Sequence, residues 1–173
     1  MFLSPAAAVD HLRLAPGVRV GDFGCGPGEH ALLIARRLGA RGAVYAFERH
    51  PDSVAALARR RASENLQNLF PLQTNLDSGI PLKDGLLDAA LVSNTLHALQ
   101  ARERFVSELS RVLNHAGCVL VVDWAHSFGN MGPPEGAVVY PADAVRLFRA
   151  HGFTVGDMLP AGTHHFAFIA AKP

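Results

Sequence analysis

The sequence predicts an α/β protein with a Rossmann-like, doubly wound, seven-stranded sheet that is mostly parallel and has an antiparallel last strand. Short apolar runs alternate with segments of helical periodicity along the 173 residues, a pattern typical of a parallel sheet with helices on both faces. The last two apolar runs are joined by too few residues for a helical crossover, so these strands should run antiparallel. Because 49% of the residues are hydrophobic, the chain can bury a core, and we expect a single domain over residues 1–173.

The first part of the chain predicts a leading helix followed by strand–helix units. Ser4 and Pro5 favour a helix start, because a serine hydroxyl caps the first turn and proline presets φ. Gly39 follows a helical stretch whose last turn carries arginines, and both features are typical of a helix end. The elements predicted after the leading helix are a strand over 18–23, a helix over 27–38, a strand over 43–47 that ends in Glu48, a helix over 51–64 and a strand over 68–73.

The second part of the chain completes the predicted sheet. The run over 86–93 is almost continuously apolar, as expected of a strand that helices cover on both faces. The elements predicted here are a strand over 86–93, a helix over 101–113, a strand over 118–124, a helix over 141–150 and strands over 153–159 and 165–171.

Charge and cysteine content limit the partners and the compartment. The chain has sixteen Lys and Arg residues and fifteen Asp and Glu residues, so no strong overall electrostatic field attracts nucleic acid or an anionic membrane. Cys25 and Cys118 form neither a disulfide framework nor a metal-binding spacing, which favours a reducing compartment. No stretch approaches the roughly 18 apolar residues of a membrane span. We therefore expect a cytoplasmic protein with a small-molecule substrate and no membrane or nucleic-acid partner, and a homodimer stays open.

The first strand runs into a glycine turn that favours a nucleoside ligand. Gly24, Gly26 and Gly28 directly follow it, but Glu29 stands where a dinucleotide-binding turn needs a small residue, which disfavours a pyrophosphate. Glu48 ends the neighbouring strand, where its carboxylate can accept hydrogen bonds from both ribose hydroxyls. Together these features indicate an adenosine moiety. The alternatives are a tight turn with nothing bound and a glutamate exposed to solvent.

These residues carry a resemblance to a known family. Residues 22–28, DFGCGPG, resemble the D-x-G-x-G-x-G motif of class I S-adenosylmethionine-dependent methyltransferases, and residues 44–48 resemble their acidic second motif. Residues 87–94 resemble the fourth strand of that family, and 113–117 stand where relatives often carry L-K-P-G-G. Within the family, the chain is most similar to small type 11 methyltransferases related to the quinone-biosynthesis C-methylases.

The resemblance implies S-adenosylmethionine as the cofactor and S-adenosylhomocysteine as its product. In this alignment Glu48 holds the ribose, and the Asn94 carbonyl accepts a hydrogen bond from the methionine ammonium. Relatives commonly have Asp where Asn75 stands, so the implied contact with the adenine amino group lacks charge and should be weaker. The implied cofactor-binding residues are Asp22, Phe23, Gly24, Cys25, Gly26, Gly28, Glu48, Arg49, His50, Asn75, Leu76 and Asn94.

Methyl transfer from a sulfonium needs mainly alignment, because the leaving group is already activated. Alignment can account for roughly 7–11 kcal/mol of the barrier. A hydroxyl, thiol or acidic C–H acceptor still needs a base, for which histidine is suited near neutral pH. His97, His126 and His165 are the predicted catalytic residues, since the first two follow the fourth and fifth strands and the third begins the last strand. Each has the alternative of a surface histidine, and their spacing disfavours a zinc site, so we expect no metal.

Two aromatic residues complete the predicted substrate site. Trp124 can offer its ring to a sulfonium or a cationic substrate, with simple packing as the alternative. Phe2 can fold over the ligand, and residues 127–140, which contain several glycines and prolines, can form a lid. The sequence does not identify the acceptor. The open alternatives to a methyltransferase are a non-catalytic adenosine-binding module, a subunit that activates a partner, and a nicotinamide-dependent reductase.

Overall fold

Helices and strands alternate along the part of the chain that the computed structural model describes, residues 3–12, 14–129 and 131–173. Those residues form the helices α1 (Pro5–His11), α2 (Glu29–Leu38), α3 (Pro51–Ser63), α4 (Arg102–Val112) and α5 (Pro141–Ala150). They form the strands β1 (Arg19–Phe23), β2 (Ala43–Glu48), β3 (Leu69–Gln73), β4 (Leu87–Ser93), β5 (Leu113–Trp124), β6 (Thr154–Leu159) and β7 (His165–Ala171). No helix among these residues is long and apolar enough to cross a membrane.

Within the described residues, the strands form one seven-stranded sheet in the order β3-β2-β1-β4-β5-β7-β6. Strands β1 to β5 pair in parallel, and β7 pairs antiparallel with both β5 and β6. This confirms the predicted fold class, including the antiparallel last strand. The chain builds outward from β1 through β2 to β3 and then returns to add β4 on the other side of β1. Ligands of open α/β sheets bind at such a reversal, in the crevice outside the carboxyl ends of the strands.

Helices cover both faces of the sheet, each over its own apolar core. Phe105 on α4 and Phe148 on α5 are fully buried in one core, together with Phe23 of β1. Ile34 on α2 and Leu57 on α3 are fully buried in the other. Neighbouring strand residues therefore serve opposite cores, which explains why the central strands are almost continuously apolar.

Two boundaries differ from the prediction by two residues or more, for local reasons. Helix α2 begins at Glu29 rather than at residue 27, because Gly28 precedes it in a left-handed conformation with φ 86°. Strand β5 begins at Leu113 rather than at residue 118, since Leu113 already pairs with Leu87. Its regular pairing with β4 is interrupted there and resumes at Cys118.

Candidate active site

The glycine turn locks the ends of three neighbouring strands together. The backbone N–H groups of Gly24 and Cys25 both donate to the Phe47 carbonyl of β2 at 2.9 Å. A Cβ atom at Gly24 would lie 2.3 Å from Oγ1 of Thr95, which follows β4 and donates a hydrogen bond to the Phe23 carbonyl at 2.8 Å. Gly24 also has φ 77°, a conformation that disfavours side chains. This position therefore requires glycine for both space and backbone geometry.

The other two glycines of the turn have different roles. A Cβ at Gly28 would lie 2.3 Å from Cδ1 of Leu57, so Gly28 allows α2 and α3 to pack closely. At Gly26 a Cβ would meet no atom within 4 Å, and this residue adopts φ 52°. The Gly26 N–H donates to Oε2 of Glu48 at 3.0 Å.

The carboxylate of Glu48 is fixed at the end of β2. Its side chain is buried with 8% exposure, and Oε1 accepts a second backbone hydrogen bond, from the His50 N–H at 2.9 Å. Two N–H donors use only part of the acceptor capacity of a carboxylate, which has about four lone-pair sites. Glu48 can therefore accept further hydrogen bonds from a ligand while it stays in place.

A cavity of about 200 Å³, here called the glutamate cavity, opens beside Glu48. Thr74, Asp77, Thr95, Ala98 and Leu99 line it but were missed by the sequence reasoning. The predicted cofactor residues in its wall are Gly24, Glu48, Arg49, His50, Asn75, Leu76 and Asn94. The structure thus brings residues from the ends of β1, β2, β3 and β4 to one place.

The remaining predicted cofactor residues lie in the turn or beneath it. Phe23 points into the core, where its ring stacks on Phe47 with the centroids 4.7 Å apart. The Cys25 thiol is buried, and burial raises its pKa above the usual range. Burial also raises the pKa of Asp22 to about 7, although a hydrogen bond from the Ala31 N–H partly offsets it. The Oδ2 atom of Asp22 has no hydrogen-bond partner within the described residues.

A second cavity of about 450 Å³, here called the histidine cavity, lies beyond Asn94. Its wall includes His30, Trp124 and His165, and also Leu3 from the N-terminal segment. Asn94 lines both cavities and adopts φ 53°, with its N–H donating to the Val122 carbonyl at 2.8 Å. The two cavities therefore share a wall at the carboxyl end of β4.

The three predicted catalytic histidines have different surroundings. His165 lines the histidine cavity, its ring centroid lies 4.5 Å from that of Trp124, and burial lowers its pKa. His97 lies beside Asp123, with Nδ1 2.7 Å from Oδ1. His126 is exposed outside both cavity walls, with its ring centroid 6.0 Å from that of Tyr140. Among the described residues that line these two cavities, His165 is the one predicted catalytic histidine.

Asp123 is a buried carboxylate that the sequence reasoning missed. It has 0% exposure at the end of β5 and also accepts hydrogen bonds from the N–H groups of His97, at 3.2 Å, and Trp124, at 2.8 Å. An acidic residue inside an otherwise apolar strand was the available signal, because a buried charge needs partners. Its partner His97 lies 26 residues earlier in the chain.

Two other predictions concern Phe2 and a metal. Phe2 lies outside the described residues. Within those residues, no group of three or more His, Cys, Asp and Glu side chains is arranged to hold a metal ion.

Comparison with known proteins identifies the family. Residues 21–121, more than half of the chain, match the family described as Methyltransferase domain. The chain belongs to this methyltransferase family. The prediction of a class I methyltransferase domain is thereby confirmed, and S-adenosylmethionine is the cofactor class that goes with it.

The relatives of this methyltransferase domain include enzymes of quinone biosynthesis. It is 26% identical over 128 residues to a ubiquinone/menaquinone biosynthesis C-methyltransferase of Bordetella avium. The matched region covers 74% of this chain and 49% of that protein. It is 30% identical over 110 residues to a 2-phytyl-1,4-naphtoquinone methyltransferase of a Nostoc species. Here the matched region covers 63% of this chain and 48% of that protein. The chain spans about half the length of these curated relatives.

Solved structures share the fold of the methyltransferase domain. A SAM-dependent methyltransferase from Aquifex aeolicus superposes with a TM-score of 0.89 at 25% identity, over 98% of this chain and 90% of that one. Geranyl diphosphate C-methyltransferase from Streptomyces coelicolor, solved with S-adenosyl-L-homocysteine, superposes with a TM-score of 0.84 at 14% identity. This superposition covers 98% of this chain and 78% of that one. At that identity the second comparison shows the fold alone.

The residues of the glutamate cavity fit the nucleoside part of this cofactor. The buried Glu48 carboxylate suits ribose hydroxyls, and Leu76 and Leu99 supply apolar surface for a base. Gly24 and Thr95 pack closely in the wall of the same cavity.

Proposed function

We propose that this protein transfers a methyl group from S-adenosylmethionine to a small-molecule acceptor. The observation that carries the proposal is the position of Asn94, which lines both the glutamate cavity and the histidine cavity. In this proposal the nucleoside is bound on the Glu48 side and the acceptor on the His165 side. The two reactants then meet at the carboxyl end of β4.

The chain's own residues hold and orient the cofactor in this proposal. Glu48 accepts hydrogen bonds from the ribose, and the Asn94 carbonyl accepts one from the methionine ammonium. In the same assignment, the buried carboxyl group of Asp22 faces the methionine part of the cofactor. The side chains that border the base are Arg49, His50, Asn75 and Leu76. When bound, S-adenosylmethionine supplies a methyl group on a sulfonium, which is an activated leaving group.

We assign His165 as the first candidate for the base. Burial lowers the pKa of His165, so its ring is neutral near pH 7 and can accept a proton from a hydroxyl, thiol or acidic C–H group. His97 is the second candidate, because a hydrogen bond from Nδ1 to Asp123 leaves Nε2 as the proton acceptor. His126 is the third, and no cavity contact supports it. Trp124 offers an aromatic wall to the acceptor.

A non-catalytic binding module is the second candidate function. A module that binds the cofactor for a partner would also need the glutamate cavity. A cytoplasmic location, a homodimer and the absence of a nucleic-acid partner stay predictions.

Transfer of a labelled methyl group separates the two functions. The purified protein is incubated with methyl-labelled S-adenosylmethionine and a set of phenols, catechols, thiols and amines, and label in the acceptors is counted. We expect label in at least one acceptor, with a rate that His165→Gln lowers while S-adenosylhomocysteine affinity stays within about twofold. Cofactor binding without transfer to any acceptor would favour the module.

A further inference from the structure

Asp77 is an acidic residue in the wall of the glutamate cavity. Its Oδ1 atom accepts hydrogen bonds from the N–H groups of Gln100, at 2.9 Å, and Ala101, at 2.7 Å, where the chain enters α4. These two bonds hold the side chain in one orientation. Among the residues that the structure describes, no donor is hydrogen-bonded to Oδ2. The side chain is half-buried and lines the cavity.

The neighbouring amide of Asn75 is partly engaged within its own loop. Its Oδ1 atom accepts a hydrogen bond from the Asp77 N–H at 3.1 Å. The other end of this amide is a donor, which cannot pair with an amino group. The wall beside Leu76 therefore holds a carboxylate, Asp77, one oxygen of which has no donor within the described residues, and an uncharged amide, Asn75, whose oxygen already accepts one of the two hydrogen bonds it can take.

We propose that Asp77, rather than Asn75, accepts the hydrogen bond from the exocyclic amino group of adenine and so makes the site specific for an adenine nucleoside. This inference rests on the proposed function, since it concerns the base of the same cofactor. A carboxylate attracts an amino donor and repels the carbonyl oxygen that hypoxanthine carries at the same position. Charge assistance makes such a contact stronger than the one an amide could form.

Asp77→Asn is the appropriate variant, because it keeps an oxygen for the Gln100 and Ala101 N–H groups and replaces only the other acceptor by a donor. Asn75→Asp is the matched control, because it keeps the acceptor for the Asp77 N–H and adds a charge at the competing position. Circular dichroism and thermal unfolding without ligand check that each variant is folded.

The test is calorimetric titration of the three proteins with S-adenosylhomocysteine and with S-inosylhomocysteine. We expect the wild type to prefer the adenine compound by about tenfold or more, and Asp77→Asn to reduce this preference to about threefold or less. Asn75→Asp should leave the preference within about threefold of the wild type.

An unchanged preference in Asp77→Asn, or a change of more than about tenfold in Asn75→Asp alone, would overturn the assignment and leave the proposed function intact. Wild-type protein that binds neither compound would overturn the proposed function together with the inference. Retained binding of S-inosylhomocysteine by Asp77→Asn shows that the variant's site is intact.

Discussion

The Nδ1 atom of His97 lies 2.7 Å from Oδ1 of Asp123, a carboxylate that is completely buried at the end of β5. This contact joins the turn after β4 to the strand beside it. Because the only other hydrogen bonds to Asp123 come from backbone N–H groups, His97 is its side-chain partner within the described residues.

Removal of this imidazole should cost stability. In His97→Ala the buried carboxylate keeps its backbone donors but loses its side-chain donor, so we expect the free energy of unfolding to fall by about 1–3 kcal/mol. Urea denaturation at neutral pH measures this change in the free energy of unfolding. The exposed His126 serves as control, and His126→Ala should change the same quantity by less than about 0.5 kcal/mol. Equal effects of the two substitutions would mean that the His97–Asp123 contact adds nothing to stability.

Cofactor affinity should depend on Glu48. Glu48→Ala removes the buried acceptor beside the glycine turn and leaves the Gly26 and His50 N–H groups without it. We expect affinity for S-adenosylhomocysteine to fall by about tenfold or more, as measured by calorimetry. Glu64 forms a surface ion pair with Arg36, and Glu64→Ala should leave the affinity within about twofold. Unchanged affinity in Glu48→Ala would remove this residue from the site.

Asp22 should make the stability of the fold depend on pH. Burial raises the pKa of Asp22 from 3.8 to about 7, so the folded state keeps this proton over a pH range in which the unfolded state has lost it. The contribution of Asp22 to stability therefore falls as pH rises from about 4 to about 7 and is constant outside that window.

Unfolding measurements on the wild type and on Asp22→Asn between about pH 4 and about pH 7 test the sign of this pH dependence. The free energy of unfolding of the variant, relative to wild type, should rise by roughly 1–4 kcal/mol between about pH 4 and about pH 7. A difference that is flat, or that changes in the opposite direction, would show that Asp22 does not titrate as its burial implies.

The packing of Gly24 against Thr95 should be intolerant of a methyl group. Gly24→Ala places a Cβ 2.3 Å from Thr95 Oγ1, and we expect it to cost about 1–3 kcal/mol beyond the backbone strain and to weaken cofactor binding. Gly39 provides the matched control, because it also has positive φ, 59°, but a Cβ there would meet nothing within 4 Å. Gly39→Ala should cost about 1–3 kcal/mol, from the strain of its φ 59°, ψ −162° conformation alone. Denaturation curves that coincide for the two variants would contradict the close contact.

Sequence periodicity was sufficient to predict the sheet because most strands are short, apolar and separated by clear helix signals. The Ser4 cap is an example, since its Oγ accepts a hydrogen bond from the Ala7 N–H as expected. The early start of β5 was not predictable, because it depends on pairing between Leu113 and Leu87 across the sheet.

The candidate site was predictable where a residue ends a strand, as Glu48 does, or directly follows one, as Asn94 does. Residues that reach the site through longer-range packing were missed. Asp77 is held by backbone donors 23 and 24 residues later, and Leu99 lies beyond a short 3-10 helix after β4. Such placements depend on tertiary contacts that local sequence patterns do not encode.

The central claim is that the glycine turn and Glu48 bind a sulfonium nucleoside rather than a dinucleotide. Parallel calorimetric titrations of the wild-type protein with S-adenosylmethionine, S-adenosylhomocysteine and NAD test it most directly. We predict saturable binding of the first two and none of NAD. Binding of NAD alone, or of none of the three, would contradict the claim.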